Sequence, residues 1–366
     1  MTRLEGRYRR VLRLLPASYR RVWEEDMVCA FLESVHTDDP EAAEYMADFG
    51  RPGWPEVASI VALAVRLRIG SAGAPPRYAA WSEAIRLAVL AGMLVNAAAS
   101  TVGAVMTLWL AGMIPLAPVP VLPEPPGYPD LWHRVSLFSA LTGLLWLPAF
   151  LALVSGRWAA ARWLGSAAAG TALLSAAVTV AVTSQRISGE VAFVLLINVL
   201  LVLAQAAFHR GVVPVKRRSW LAGVGVCTVV VAGYAWLQFQ FMTSLPPLDW
   251  AGLWCLVLVA ATVAHLAGWA RRRRDRFTAW TPALAILAFT VLGLRLVTLL
   301  DFARFGSAGW HPATVALGIA EAVAVAVAAI ILLLLSARTL RRLPATAADG
   351  IAWSTRPSRS PHNGPH

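Results

Sequence analysis

Charge is scarce in this chain. Only 14% of its 366 residues are Asp, Glu, Lys or Arg, against about 25% in an ordinary soluble domain. That shortage excludes a soluble fold for most of its length. Lysine is nearly missing: Lys216 is the single one, so positive charge is carried by arginine. Cys29, Cys227 and Cys255 are the three cysteines, far apart and without a CxxC pair, which argues against a disulfide framework or a zinc site. The opening MTRLEGRYRRVLRLLP lacks an uninterrupted apolar core and a small-residue cleavage site, so no secretory signal is expected. No phosphate-binding loop, nucleophile–base set, paired acids or metal-ligand spacing stands out, and no enzyme chemistry, cofactor or metal is expected.

What is present is apolar sequence in long runs. Hydrophobic residues make up 58% of the chain. Taking about 20 residues per crossing, eight spans are expected, near 87–113, 135–154, 163–183, 191–208, 219–241, 250–270, 280–300 and 313–336. The connections alternate in charge. Those after even-numbered spans carry 14 positive residues, from Arg157 and Arg162 to Arg338, Arg341 and Arg342; those after odd-numbered spans carry only Arg134, Arg186 and Arg304. Arginine retained on the cytoplasmic side orients helices during insertion. The pattern therefore predicts a multi-pass protein of the cell (plasma) membrane with both termini cytoplasmic. Its expected partner is the lipid bilayer. Arg271 to Arg274, between two spans, read as a lipid-touching anchor and not as a nucleic-acid patch. Tryptophans at span ends, among them Trp163, Trp220, Trp250 and Trp280, suit the headgroup layer. The proline-rich segment 117–133 should be stiff and extended, and the tail 343–366 too polar to fold.

Residues 1–75 differ in kind. They hold 11 acidic residues and 10 arginines, whereas the remainder has 22 basic and 9 acidic. Leu4, Tyr8, Val11, Leu12 and Leu15 fall at helical spacing before Pro16. A second helix should carry Tyr19, Val22, Trp23, Met27, Phe31 and Leu32 as its apolar stripe. Asp39 can cap a third, opened by Pro40, with Ala42, Tyr45, Met46 and Phe49 on one face. The stretch 57–69 is apolar almost all round; it would either lie on the membrane surface or complete the prefix core.

The phrase from Leu14-Leu15-Pro16 through Tyr19-Arg20-Arg21-Val22-Trp23-Glu24-Glu25-Asp26-Met27, with Gly50 and Pro52 before the next helix, resembles the helical prefix of bacterial permease-like membrane proteins. It is similar to the HAAS type (helix-turn-helix-associated alpha-helical signalling domain). The resemblance covers about the first 70 residues. It implies a cytoplasmic interaction module, docking a regulator through residues 1–72, and no chemistry of its own.

Inside the spans one pair of charges stands out. Arg295 lies about 7 Å and Glu321 about 12 Å from the same end of adjacent spans at ~1.5 Å per residue, so a salt bridge between the two helices is plausible. Its role would be functional or structural: a pair that locks two helices, or an arginine snorkelling to the outer headgroups near Asp301. Asn96, Asn198, Gln205, Gln238 and His265 are expected to make interhelical hydrogen bonds.

The expected architecture is thus all-α: a polytopic bundle of about eight membrane helices over 84–342, a helical prefix over 1–75 and a tail over 343–366. A non-enzymatic signalling or docking component is the first functional expectation. The alternative is a permease or transporter subunit using Arg295 and Glu321. A solid bundle would favour the first; a water-filled cavity at mid-membrane lined by polar residues would favour the second.

Overall fold

The computed structural model describes residues 2–35, 39–68, 76–115, 130–183, 187–208, 215–240, 249–271, 278–305 and 312–341. The tail 343–366, the proline-rich stretch to Pro129, and Arg186, Arg210, Arg272 to Arg274, Arg276, Trp310 and Arg342 lie outside them. The described elements are all helical. The chain divides into two compact units, residues 1–83 with 337–366, and residues 84–336.

In the first unit, α1 (Arg3–Leu12) begins at Thr2, whose hydroxyl accepts from the Glu5 N–H at 3.2 Å, closing one of the four orphan donors of a helix start. Helices α2 (Ala17–Val35), α3 (Pro40–Phe49) and α4 (Trp54–Arg68) follow. Asp39 caps α3 by accepting from Glu41 N–H. Leu4, Tyr8 and Leu12 of α1 are buried with Val28 and Phe31 of α2 and Ile60, Ala64 and Leu67 of α4. The fourth stretch therefore completes the prefix core. Tyr8 stacks on Phe31 at 4.0 Å between ring centroids and donates to the Glu56 carboxylate at 2.9 Å. Burial, reinforced by that hydrogen bond, holds the Tyr8 hydroxyl protonated well above the usual tyrosine range.

Two predicted apolar faces are buried only in part; Phe31 of α2 is in the core, with Tyr19, Met27 and Leu32 packed against it. Val22 and Trp23 of α2 are exposed, as are Tyr45 and Phe49 of α3. Val22 lies on the opposite side of α2 from Phe31, about two and a half turns along, and Phe31 is on the face that packs with α1 and α4. Arg9 instead grips Glu25 with two 2.8 Å hydrogen bonds, which hold that carboxyl below its usual range.

The second unit is the membrane bundle: α5 (Pro76–Leu110, entering it at Ala84), α6 (Asp130–Gly143), α7 (Trp146–Val154), α8 (Trp158–Thr183), α9 (Gly189–Ala204), α10 (Arg217–Gln240), α11 (Trp250–Arg271), α12 (Trp280–Phe305) and α13 (Pro312–Arg341). Eight stretches are long and apolar enough to cross a membrane, from Tyr78–Leu110 to Ala313–Arg341, one for each predicted span. The chain is an all-α multi-pass membrane protein. Its second span, Arg134–Val154, is broken between α6 and α7. Pro148 has no N–H to give Leu144 and its ring crowds that carbonyl; Leu144, Leu145 and Leu147 bond three residues back instead of four. Helix α6 already includes Asp130 to His133, which the sequence reading placed in an extended segment; no proline follows Pro129 there to interrupt the ladder.

Helix α5 contributes side chains to three apolar clusters. Val89, Met93 and Ala97 pack with Phe150 and Leu153 of α7 and Ala161 and Ala168 of α8. Val102 meets Val231 and Ala235 of α10, and Ala84 and Ala88 meet Ala283 of α12. A second core joins Leu258 of α11, Ala285 and Ala288 of α12, and Val325 and Leu332 of α13. Alanine at these contacts lets helices approach closely, which matters where lipid offers no hydrophobic driving force. At the arginine-rich ends, Arg162 donates to the Phe208 carbonyl at 2.8 Å and Arg217 to the Ser155 carbonyl at 3.1 Å. These basic residues satisfy carbonyls at helix C-termini.

Candidate functional site

The unusual chemistry lies at the opposite, arginine-poor ends of the helices. Arg295 sits two and a half turns before the end of α12 and is only 2% exposed. Its Nη2 lies 2.8 Å from Glu321 Oε2 on α13, its Nη1 donates to Asp249 Oδ2, and its Nε donates to the Gly318 carbonyl at 3.3 Å. The two residues singled out in the sequence are therefore neighbours. A third, Asp249, joins them. Asp249 is also the N-cap of α11, accepting from the Gly252 N–H at 2.7 Å. One guanidinium thus ties the start of α11 to the ends of α12 and α13.

Two glycines make the room. A Cβ on Gly318 would stand 2.5 Å from Arg295 Nη2, and one on Gly252 would stand 2.9 Å from Glu321 Oε1. Any side chain there would push the charged groups apart.

Asp301 has a different task from pairing with Arg295. Its two carboxylate oxygens accept from Gly189 N–H at 3.0 Å and Glu190 N–H at 2.8 Å, while Ser188 Oγ accepts from Val191 N–H at 3.3 Å. The start of α9 is thereby capped from α12, an arrangement that suits the positive end of the helix dipole. Deeper in the bundle, Asn96 donates to Asn198 at 2.9 Å, linking α5 to α9. His265 and Thr281 are 2.9 Å apart, linking α11 to α12. Gln205 is fully buried where α9 tightens into a 3-10 turn, and Gln238 bonds Tyr234 within α10.

The bundle is not solid on this side. A cavity of about 770 Å³ lies between α5, α6, α8 and α9, and its wall includes Ser100, Ser139, Ser175, Thr179, Glu190 and Asn198. From Ser188 to Asn198 it follows α9 for about 15 Å. Ser175 is 6% exposed, and its hydroxyl has no hydrogen-bond partner among the described residues. A buried hydroxyl left open in a polar cavity is a cost unless something in the cavity meets it. A second cavity, about 670 Å³, lies beside the first. Met106, Phe239, Trp250 and Phe302 give it apolar walls, and Glu190, Gln238, Asp249 and Thr298 are its polar members. The two share Gly103 and Glu190. Neither Arg295 nor Glu321 lines either one.

Sequence reasoning missed Glu190, Asp249 and the serines. Asp249 carried a readable signal, an acid directly before a Trp-led apolar run, which is an N-cap pattern. The serines are spread over α5, α6 and α8 and converge only through packing. No cluster of three or more His, Cys, Asp or Glu able to hold a metal ion occurs among the described residues. Compared with protein-family profiles, curated proteins and solved structures, the chain matches none of them.

Proposed function

We propose that the bundle is a permease-type protein that admits a small polar solute between its spans at the arginine-poor side. The observation that carries this reading is the hydroxyl-lined cavity. Seven serine and threonine hydroxyls ring this one space; such residues are common at packed helix interfaces, but the buried Ser175 Oγ has no hydrogen-bond partner among the described residues, and a wet path would supply one. Its volume lies within the roughly 300–1,000 Å³ usual for small-molecule sites. In this reading Arg295 and Glu321 are positioning residues: they line neither cavity and hold α12 to α13, while Asp249 both pairs with Arg295 and lines the second cavity. The positive-inside rule places the cavity mouth away from the cytoplasm.

Water access tests it. In a chain with Cys29, Cys227 and Cys255 replaced, Ser139→Cys should react rapidly with a membrane-impermeant methanethiosulfonate added outside the cell. Val229→Cys, on the exposed apolar surface of α10, should not, because the reactive thiolate needs water. Equal rates at the two positions would sink the reading.

A docking role for residues 1–72 is favoured by a separate observation. Trp54 is 84% exposed, and Tyr45 and Phe49, stacked on one another at 5.2 Å, are exposed as well. Large aromatics held in the open fit a partner surface, as the HAAS-like resemblance implies. Capture from native membranes should recover one specific partner with the full chain and lose it with Trp54→Ser/Phe49→Ser; an unchanged set of partners would refute docking through this patch.

A further inference from the structure

Among the described residues, the charges beside the two cavities are mostly negative. Four carboxylates, Glu190, Asp249, Asp301 and Glu321, gather where α9, α11, α12 and α13 meet, and Arg295 is the cation bonded among them. Three have a stated occupation. Asp249 and Glu321 share the guanidinium, and Asp301 holds two backbone N–H groups. Glu190 makes no side-chain hydrogen bond or ion pair among the described residues, although it is half-buried. A carboxylate in such surroundings needs a counter-charge or a proton.

Glu190 also stands at the one place where the cavities meet. On one side are the hydroxyls, including the unpartnered and 94%-buried Ser175 Oγ; on the other are Met106, Phe239, Trp250 and Phe302. Aromatic faces next to a carboxylate favour a cation, since the ring quadrupole adds to the ion pair. A bare metal ion is usually held by several carboxylates at short range, and no group of three or more His, Cys, Asp or Glu able to hold one occurs among the described residues. An organic cation does not need one. It spreads its charge and brings an apolar body that fits the aromatic side.

We infer that the solute is an amphipathic organic cation, an ammonium or phosphonium group held at Glu190 with its apolar body in the cavity walled by Phe239, Trp250 and Phe302. This rests on the reading of the bundle as a solute-binding permease. The same chemistry comes from two sources, a soluble amphipathic cation or the amine headgroup of a membrane lipid. Asp249 supplies a second negative wall to the aromatic cavity, and Ser175 a hydrogen-bonding group on the polar side.

The test is equilibrium binding of labelled tetraphenylphosphonium to the full chain in nanodiscs of phosphatidylglycerol, with and without phosphatidylethanolamine. Saturable binding is expected. Glu190→Gln should weaken it by about thirtyfold or more, the low end for removing one partner of a desolvated charge pair, while Glu190→Asp retains part of it. Lowering the pH from about 8 to below about 4, under the ordinary glutamate range, should release the probe from the wild-type chain, because protons compete for carboxylates; this arm stands even if Glu190→Gln does not fold. Suppression by phosphatidylethanolamine that is lost in the Glu190 variant assigns the site to the lipid amine, and indifference to that lipid assigns it to a soluble cation. Absence of saturable binding, or binding that a well-folded Glu190→Gln variant leaves intact, overturns the inference. Rapid modification of Ser139→Cys with no cation binding would reject the cation alone and leave the permease reading standing.

Discussion

Replacing Glu321 by alanine would remove one of the two carboxylates that neutralise Arg295, and the arginine could not escape. Its guanidinium is 2% exposed and lies about 15 Å, ten residues, from the end of α12. Breaking a buried ion pair by deleting one partner costs about 3–5 kcal/mol, most of it the penalty of the charge left behind. Here Asp249 and the Gly318 carbonyl remain on Arg295, so the lower end, about 3 kcal/mol, is expected. At about 2–4 °C per kcal/mol for a unit of this size, Tm should fall by about 6–12 °C. Heating followed by size-exclusion chromatography in mild detergent would measure it. Glu321→Gln, which keeps the volume and an acceptor, should lose less. Gly318→Ala provides an independent check, because its added Cβ would lie 2.5 Å from Arg295 Nη2. Both changes act through one guanidinium, so the double variant should fall short of the sum. An alanine variant melting within about 1 °C of wild type would refute the idea that this ion cluster holds the three helices together.

The prefix makes a separate prediction. Tyr8→Phe should destabilise it by about 1.5 kcal/mol, the low end for a hydrogen bond to a charged acceptor, since half-buried Glu56 can turn toward water. The pH dependence has a definite sign. Folding raises the Tyr8 pKa, so its contribution is complete below the ordinary tyrosine range and is lost as pH rises above about 10. Limited proteolysis of α1 to α4 in the full chain at pH 8 and pH 11 should show wild type opening at the higher pH, with Tyr8→Phe less pH-sensitive. Equal pH sensitivity in the two proteins would show that another group titrates.

Much of the architecture could be read in advance because lipid imposes a strong, local rule. A crossing needs about 20 apolar residues whatever its neighbours are, so each span announced itself. Pro148, by contrast, could be seen in the sequence, but the split of one span into α6 and α7 depends on which carbonyls the broken ladder then finds. The prefix illustrates a second limit. Periodicity marked Tyr45 and Phe49 as one helical face, yet whether a face is covered depends on which helix packs there, and in this unit none does.

Arg295 and Glu321 were conspicuous individually, because an ion inside an apolar run is costly wherever it points. Asp249 and Glu190 were less so. They sit at helix starts, where an acid is ordinarily explained by capping, and Asp249 does cap its helix. Only when α9, α11, α12 and α13 are brought together does Asp249 acquire a second role, while Glu190 makes no side-chain hydrogen bond or ion pair among the described residues.

The sequence by itself determined the environment, the eight crossings and the all-α class, since these follow from composition and from a hydropathy rule acting within each segment. Tertiary structure decided where Ser100, Ser139, Ser175, Glu190 and Asn198 meet, because residues tens of positions apart become neighbours only through the packing of alanine-rich helix faces. The cavity they line, and the excess of negative charge beside it, belong to that packing.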